Sequence, residues 1–128
     1  MEEIQAECLF CTIPKERIIA ENEHAYAIRD GFPVTDFHTL VIPKRHVDEY
    51  FGLTVEELLS CNSLLHSLRT EILENDKTVK GFNIGMNSGE VAGQTVFHCH
   101  IHLIPRRKDD VPNPRGGVRH IIPGKANY

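Results

Sequence analysis

A single long amphipathic helix among short β-type segments constrains this fold more than any other feature of the sequence. Thr54 and Glu57 have the spacing of a capping box, in which two side chains bond backbone amides left free at the start of a helix. Apolar residues then recur at helical spacing as far as Leu73. We therefore predict a helix that runs from Thr54 to about Glu74, with a wide apolar stripe that packs on a core or on a second copy.

Five short segments around this helix have the composition of β-strands. Turn-forming residues at 30–33 separate the second segment from the third, and a glycine-containing loop at 87–93 precedes the fifth. The predicted strands are residues 17–20, 24–29, 39–42, 82–86 and 96–104. Pro43 and Pro105 are expected to end the third and fifth strands. The sequence predicts an α+β fold with an antiparallel sheet of about five strands and one long helix.

The length and charge of the chain limit its organisation and its partners. The 128 residues are the usual size of one domain, and the net charge of −4 gives no reason to expect a nucleic acid partner. Residues 104–128 nevertheless carry a net charge of +4, which suits a small anionic ligand or a solvated tail. We predict a single domain over residues 1–128, with a core at about 7–107 and a basic irregular tail at 108–128.

Two features bear on localisation. The sequence contains no apolar run as long as a membrane span, so we expect no membrane partner. Its first residues, Met1-Glu2-Glu3, are acidic where a secretory signal would be basic. These features together predict a cytoplasmic protein.

Three histidines near the end of the chain are the strongest chemical signal. His98, His100 and His102 alternate with apolar residues, so in a strand they share one face. Three imidazoles in a row are not a packing solution, because buried ring nitrogens need partners. A metal site and nucleophilic catalysis both explain the pattern. The preceding loop, residues 87–95, favours catalysis, because its glycines and the Thr95 hydroxyl can form an anion-binding concavity.

The residues around these histidines resemble the signature of the histidine triad (HIT) family. The motif that carries the similarity is Asn87-x-Gly89-x-x-Ala92-Gly93-Gln94-x-Val96-x-His98-x-His100-x-His102-Leu103-Ile104. The similarity extends to Cys8–Cys11, Asp30 and residues 38–46, and so covers nearly residues 7–107. His102–Arg107 looks closer to the fragile histidine triad branch, which hydrolyses dinucleoside polyphosphates, than to the nucleoside phosphoramidase branch. Phe37 departs from the glycine that often precedes the next conserved histidine of the family.

The resemblance implies a role for each site residue. His100 would be the nucleophile that attacks the α-phosphorus of a nucleotide and forms a nucleotidyl-histidine. His102 would donate a proton to the leaving group, and His38 and His98 would complete the histidine cluster. Asp30 would hold the ribose hydroxyls. The residues expected to hold the phosphate are Asn87, Gly93, Gln94 and Thr95.

The resemblance also implies an activity and an assembly. The chain would be a homodimeric hydrolase or transferase of purine nucleotides that cleaves at the α-phosphate of dinucleoside polyphosphates or nucleoside phosphoramidates. One alternative is a zinc-containing purine nucleotide-binding module with weak or incidental catalysis. Another is a hydrolase whose zinc activates water, which requires an open coordination position. Because positive charge is concentrated just past the triad, we also expect Arg106, Arg107, Arg115 or Arg119 to lie near the distal phosphates of a long substrate.

The pair Cys8-x-x-Cys11 is the remaining motif. A cytosolic chain of this size does not need disulfides, so the pair indicates a metal or redox function. A thioredoxin-like redox motif needs a βαβ context that the sequence lacks. By analogy with zinc-binding members of the HIT family, His46 and His98 would complete a structural zinc site that ties the N-terminal segment to the triad strand. Two ordinary thiols remain the alternative.

Overall fold

The computed structural model describes residues 5–128, which form one α-helix and five β-strands in addition to short 3₁₀ turns. The strands and the helix are Ile18–Glu21 (β1), Ala25–Arg29 (β2), Thr39–Pro43 (β3), Val55–Asn75 (α1), Val79–Gly85 (β4) and Ile101–Arg107 (β5). The acidic residues considered for localisation, Met1 to Glu3, lie outside the described residues. The predicted α+β class, with a five-stranded sheet and one long helix, is confirmed.

All neighbouring strands of the sheet are antiparallel, in the order β1-β2-β3-β5-β4. The first three strands follow one another along the chain, and a tight turn at 22–24 and a longer loop at 30–38 connect them. β5 inserts between β3 and β4, and its His102 pairs with Leu40 of β3 and with Gly85 of β4. This register places a histidine of the triad at the centre of the sheet.

The start of α1 is stabilised by the predicted capping box and by a buried ion pair. The Thr54 hydroxyl accepts a hydrogen bond from the Glu57 amide, and the Glu57 carboxylate accepts one from the Thr54 amide. Arg45 donates to both oxygens of the Glu57 carboxylate at 2.8 and 2.9 Å, and these bonds lower the pKa of Glu57. The cap therefore joins the helix to the segment that follows β3.

The two faces of the sheet carry separate apolar clusters. Alternating residues of the strands pack under α1 on one face, where the helix contributes Cys61, Leu64, Leu68 and Ile72. The opposite face has a smaller cluster, formed by Phe10, Tyr26, Ile28, Leu40 and Ile42. The Tyr26 hydroxyl donates to the Phe10 carbonyl, so the N-terminal segment is fixed against this second face. The second face is left without a helix and carries the candidate site.

The last strand differs from its prediction at both ends. β5 begins at Ile101 rather than residue 96, because the chain bends at 96–98 and the Cys99 amide donates to the Val47 carbonyl instead of a strand. Pro105 does not end the strand, which continues to Arg107. Proline has no backbone N–H, so no donor is left without an acceptor at this position. The Pro105 carbonyl accepts a hydrogen bond from the Thr35 hydroxyl. Only His102 of the triad therefore lies in a strand.

The remaining boundaries agree with their predictions to within a few residues. β4 begins at Val79, three residues before its predicted start, while Pro43 is the last residue of β3 as expected. Beyond β5, the only regular element in the described part of the chain is a 3₁₀ turn at Gly117–Ile121. Among the described residues, no helix has the length and apolar character needed to cross a membrane.

Candidate active site

His38 and His102 form a directly bonded pair at the centre of the site. His38 precedes β3, and its Nε2 lies 2.9 Å from Nδ1 of His102. The Val34 amide donates to His38 Nδ1 at 3.0 Å, so the proton of the neutral His38 ring is on Nε2. His38 Nε2 therefore donates to His102 Nδ1, which leaves the His102 proton on Nε2. Asp30 Oδ2 lies 3.5 Å from His38 Nε2 and supports this tautomer.

Burial keeps both rings of this pair neutral near pH 7. Desolvation lowers the pKa of His38, and the nearby Asp30 carboxylate only partly opposes that effect. Desolvation is also the main cause that lowers the pKa of His102 to about 4, with additional repulsion from His100 and His38. Neutral rings are consistent with the hydrogen-bond directions, because a doubly protonated His102 could not accept from His38.

His100 is held with one ring nitrogen bonded and the other available. Its Nδ1 lies 2.8 Å from the carbonyl oxygen of His98. A carbonyl oxygen can only accept, so Nδ1 carries a proton, and in the neutral ring Nε2 keeps its lone pair. The ring packs against Phe10 at a centroid distance of 4.9 Å and against His102 at 5.3 Å. The backbone therefore fixes both the orientation and the tautomer of His100.

The glycine-containing loop before the triad is closed by its own hydrogen bonds, in which the Ala92, Gly93 and Gln94 amides donate to the Gly89 or Glu90 carbonyls. Gly89 and Gly93 have φ angles of 97° and 100°, in the region that favours glycine, and a 3₁₀ turn lies between them. Gln94 was expected to hold phosphate, but its side chain is buried within the loop. Its Oε1 accepts from the Gly89 amide, and its Nε2 donates to the Asp48 and Val96 carbonyls. Gln94 therefore shapes the loop from behind.

A cavity of about 590 Å³ joins the loop and the histidines. Its polar lining consists of Arg17, Asp30, His38, Asn87, Thr95, His100 and His102, and Gly31 and Gly93 also border it. Its apolar lining consists of Leu9, Phe10, Ile28, Phe32, Val34, Leu40 and Val96. Seven of the nine residues predicted to react with or hold substrate therefore line one cavity. Gln94 and His98 do not, and Arg17 is a lining residue that no sequence motif identified.

His98 was expected in the catalytic cluster, but both of its ring nitrogens are directed elsewhere. The ring is fully buried, and its Nε2 donates to the Pro43 carbonyl at 2.7 Å. Its Nδ1 lies 3.4 Å from Cys8 Sγ and 3.5 Å from Cys11 Sγ. The expected alternation along a strand fails here because the chain bends before β5. The His98 backbone carbonyl, and not its ring, contacts the catalytic cluster, because it accepts the hydrogen bond from His100 Nδ1.

The four predicted zinc ligands lie together. The ligand atoms of Cys8, Cys11, His46 and His98 are all within 4.8 Å of one another. The sulfur-to-nitrogen distances of 3.4 to 3.5 Å are close to the roughly 3.6 Å expected across a tetrahedral zinc site. Desolvation lowers the pKa of His98 and keeps its ring in the neutral form that binds metal. The donor set and its spacing therefore fit a zinc ion.

A redox function for the cysteine pair is less consistent with the structure. Cys8 precedes a short 3₁₀ turn, and Cys11 is its last residue. In the part of the chain that the structure describes, no long helix directly follows the pair, whereas one does in a thioredoxin-like motif. Burial raises the pKa of the Cys11 thiol, whereas reactive thiols have a lowered pKa.

The tail arginines do not lie where a role in phosphate binding would place them. Arg106 forms a two-pronged ion pair with Asp110 and also bonds Asn83. Arg107 is paired with Asp76 at 2.8 Å. Arg115 and Arg119 lie over the Tyr128 ring. None of the four lines the cavity, so the expectation that they meet the distal phosphates is not supported.

Phe37, the departure from the family pattern, has a φ angle of 70°, a conformation that glycine adopts most readily. The Arg29 guanidinium lies over its ring at 5.1 Å, and the Thr39 hydroxyl donates to its carbonyl at 2.7 Å. Packing and hydrogen bonds therefore hold a bulky residue in the conformation needed just before His38.

Fold and site together define a sheet-based protein with a histidine cluster and a glycine-containing loop around one cavity, and the comparisons with known proteins specify the class further. The family model described as "HIT domain" matches residues 13–109. An uncharacterized HIT-like protein of Mycoplasma genitalium is 41% identical over 103 residues, covering 77% of this chain and 72% of the relative. The chain therefore belongs to the HIT domain family.

Two relatives have more specific names. Adenosine 5'-monophosphoramidase HNT1 of Candida albicans is 31% identical over 112 residues, covering 81% of this chain and 73% of the relative. The nitrilase and fragile histidine triad fusion protein NitFhit of Caenorhabditis elegans is 37% identical over 98 residues, covering 77% of this chain and 22% of the relative. Both named branches are thus similar to this chain, and the identities do not select one of them.

Solved structures have the same fold. A HIT family protein from Bacillus anthracis is 42% identical with a TM-score of 0.74, covering 81% of this chain and 76% of that chain. A zinc-bound histidine triad family protein from Mycobacterium smegmatis is 35% identical with a TM-score of 0.73, covering 81% of this chain and 78% of that chain.

Proposed function

We propose that this protein is a nucleotide hydrolase or transferase that cleaves at the α-phosphate through a nucleotidyl-His100 intermediate. The observation that carries the proposal is the state of His100, whose Nδ1 is bonded to a backbone carbonyl and whose Nε2 lone pair is left free beside the cavity. A neutral imidazole with a fixed tautomer is a ready nucleophile near pH 7.

The loop and Asp30 position the substrate in this proposal. The side chains of Asn87 and Thr95, which line the cavity beside the histidines, hold the phosphate oxygens. Asp30 holds the ribose hydroxyls, and the apolar wall that includes Phe10 and Phe32 packs against the base. Phosphoryl transfer depends mainly on such positioning and on stabilisation of charge.

His100 Nε2 attacks the α-phosphorus, a nitrogen–phosphorus bond forms, and the bond to the leaving group breaks. His102 donates its Nε2 proton to the leaving group, and the hydrogen bond from His38 keeps that proton on Nε2. An anionic phosphate beside His102 raises the pKa of that ring, so bound substrate makes His102 a better acid than it is in the free protein. Water then hydrolyses the nucleotidyl-histidine and releases the nucleotide.

Zinc held by Cys8, Cys11, His46 and His98 completes the proposal, by analogy with the zinc-bound relative. When bound, such an ion supplies folding energy and acts on no substrate atom. His98 would link this site to the chemistry, because its ring would be a zinc ligand and its carbonyl orients His100.

We also propose that two copies associate. Val55 and Leu59 on α1 and Ile84 on β4 are more than half exposed, and β4 is an edge strand. An apolar helix stripe beside an open edge strand is a self-complementary surface for a two-fold dimer.

The substrate is tested by measuring kcat/KM for diadenosine tetraphosphate and for adenosine phosphoramidate. A preference for the phosphoramidate would agree with the named activity of the Candida albicans relative, and a preference for the tetraphosphate would favour the fragile histidine triad branch. Tight nucleotide binding without turnover of either compound would instead favour the binding module.

A further inference from the structure

One cation lines the catalytic cavity within the described residues, and no step proposed above uses it. Arg17 ends the 3₁₀ turn that precedes β1, and its side chain is half-buried. Its Nη2 donates to the Arg29 carbonyl at 3.3 Å, and no carboxylate within residues 5–128 lies at ion-pair distance. Arg29, Arg106 and Arg107 are each paired with a carboxylate. Arg17 thus keeps most of its donors for a ligand.

The contacts of Arg17 place it beside the turn that contains Asp30. A methyl group added at Gly31 would lie 3.7 Å from Arg17 Nη2, so the guanidinium covers this glycine. The proposed phosphate-holding residues, Asn87 and Thr95, belong to a different segment, whereas the hydrogen bond and the close approach of the guanidinium are to Arg29 and Gly31, on either side of Asp30. If Asp30 holds the ribose, Arg17 stands next to the nucleoside part of the ligand.

We propose that Arg17 selects the nucleobase, favouring 6-oxopurines such as guanine and hypoxanthine over adenine. Guanidinium presents parallel N–H donors, which match the adjacent O6 and N7 acceptors of a 6-oxopurine. Adenine presents an amino donor at the same position, so one of the two bonds is lost and a donor faces a donor. The proposal rests on the proposed function for the assignment of the cavity to a nucleotide.

Binding measurements test this without requiring turnover. Titration calorimetry compares GMP, IMP and AMP on the wild-type protein, on Arg17→Met and on Lys15→Met. Lys15 is an exposed cation in the same turn, so its substitution controls for the lost charge. A bidentate pair discriminates by about tenfold or more. We expect wild type and Lys15→Met to bind GMP and IMP at least tenfold more tightly than AMP. Arg17→Met should bind the three nucleotides with equal affinity.

Three results would overturn the proposal: equal binding of GMP and AMP to wild type, an equal loss for both in Arg17→Met, or failure of IMP to behave as GMP does. Tighter, Arg17-dependent binding of adenosine 2′,5′-bisphosphate would assign the residue to the ribose instead. Guanine selectivity without turnover would leave this inference standing while the proposed function fails. Turnover without an Arg17-dependent base preference would support the proposed function and overturn this inference. A protein that binds no nucleotide would contradict the inference and the proposed function.

Discussion

At the scale of single residues, the site consists of the bonded His38–His102 pair, the neighbouring His100 ring and the Asp30 carboxylate. The motif placed Asp30, His38, His100 and His102 in one site, and all four line the cavity. His98 lies beside the cysteines, as its predicted zinc role requires, but outside the catalytic cluster, because alternation assumes a continuous strand and the chain bends at residues 96–98. Arg17 was missed because a lone cation in a turn resembles any solvated residue; its only available signal was proximity to the strand before Asp30.

The depressed pKa of His102 predicts how stability depends on pH. Its folded pKa is about 4, below the unfolded value near 6.5, so its contribution to stability is fully present above pH 6.5 and is lost as the pH falls toward 4. Chemical denaturation from pH 7 to pH 4.5 should therefore show a shallower loss of unfolding free energy in His102→Asn than in wild type. Identical slopes would mean that His102 is not desolvated in the folded protein.

At the scale of elements, periodicity and capping predicted α1 to within a residue, because its signals are local. The extent of β5 was predicted less well, because hydrogen bonds with distant segments set its start and tolerate Pro105 inside it. In the loop at 87–95, Gly89 and Gly93 have positive φ angles, while the anion-binding function predicted for this loop stays a prediction. The role of Gln94 could not be predicted, since its partners include the Asp48 carbonyl, which is 46 residues away.

The positive φ of Gly93 gives a test of the loop. Alanine there adopts a left-handed conformation at a cost of about 1–2 kcal/mol, although the position has space for a methyl group. We expect Gly93→Ala to lower kcat/KM by tenfold or more while the protein remains folded. Gly81→Ala is the matched control, because Gly81 has neither a positive φ nor a neighbour within 4 Å of an added methyl. Equal kcat/KM values for the two variants would show that activity does not depend on the left-handed conformation of Gly93.

At the scale of the whole molecule, the fold brings the N-terminal segment, the loop after β3 and the triad segment into one unit. Cys8 and His98 are 90 residues apart, yet their ligand atoms lie 3.4 Å apart. The spacing within Cys8-x-x-Cys11 indicated a metal, but only the resemblance to a family supplied His46 and His98. Such long-range contacts follow from the sheet order, which local sequence patterns do not determine.

Zinc should therefore contribute mainly to the stability of the whole chain. Metal analysis of protein purified without chelators should find about one zinc per chain. Cys8→Ser should lower the melting temperature and the zinc content, whereas His66→Asn, at an exposed position on α1, should change neither. Protein that lacks zinc but melts at the same temperature as the zinc-containing form would contradict the structural role.

The proposed dimer belongs to the same scale. Sedimentation at micromolar concentration should give twice the mass of the 14.5 kDa chain. Leu59→Glu places a charge on the exposed stripe of α1 and should shift the protein toward monomer, while Glu56→Gln should not. A wild-type protein that sediments as a monomer would refute the assembly.

The central claim is that His100 forms the covalent bond. His100→Gly should abolish turnover by several orders of magnitude while nucleotide binding survives, and loss of His102 should reduce turnover by about 10²–10⁴-fold, as expected for a general acid. The most direct measurement is to trap the intermediate from a radiolabelled substrate by rapid acid-free denaturation and to map the modified residue by mass spectrometry. We expect a nucleotidyl group on His100. An adduct on His98 or His102, or substantial activity in His100→Gly, would contradict it.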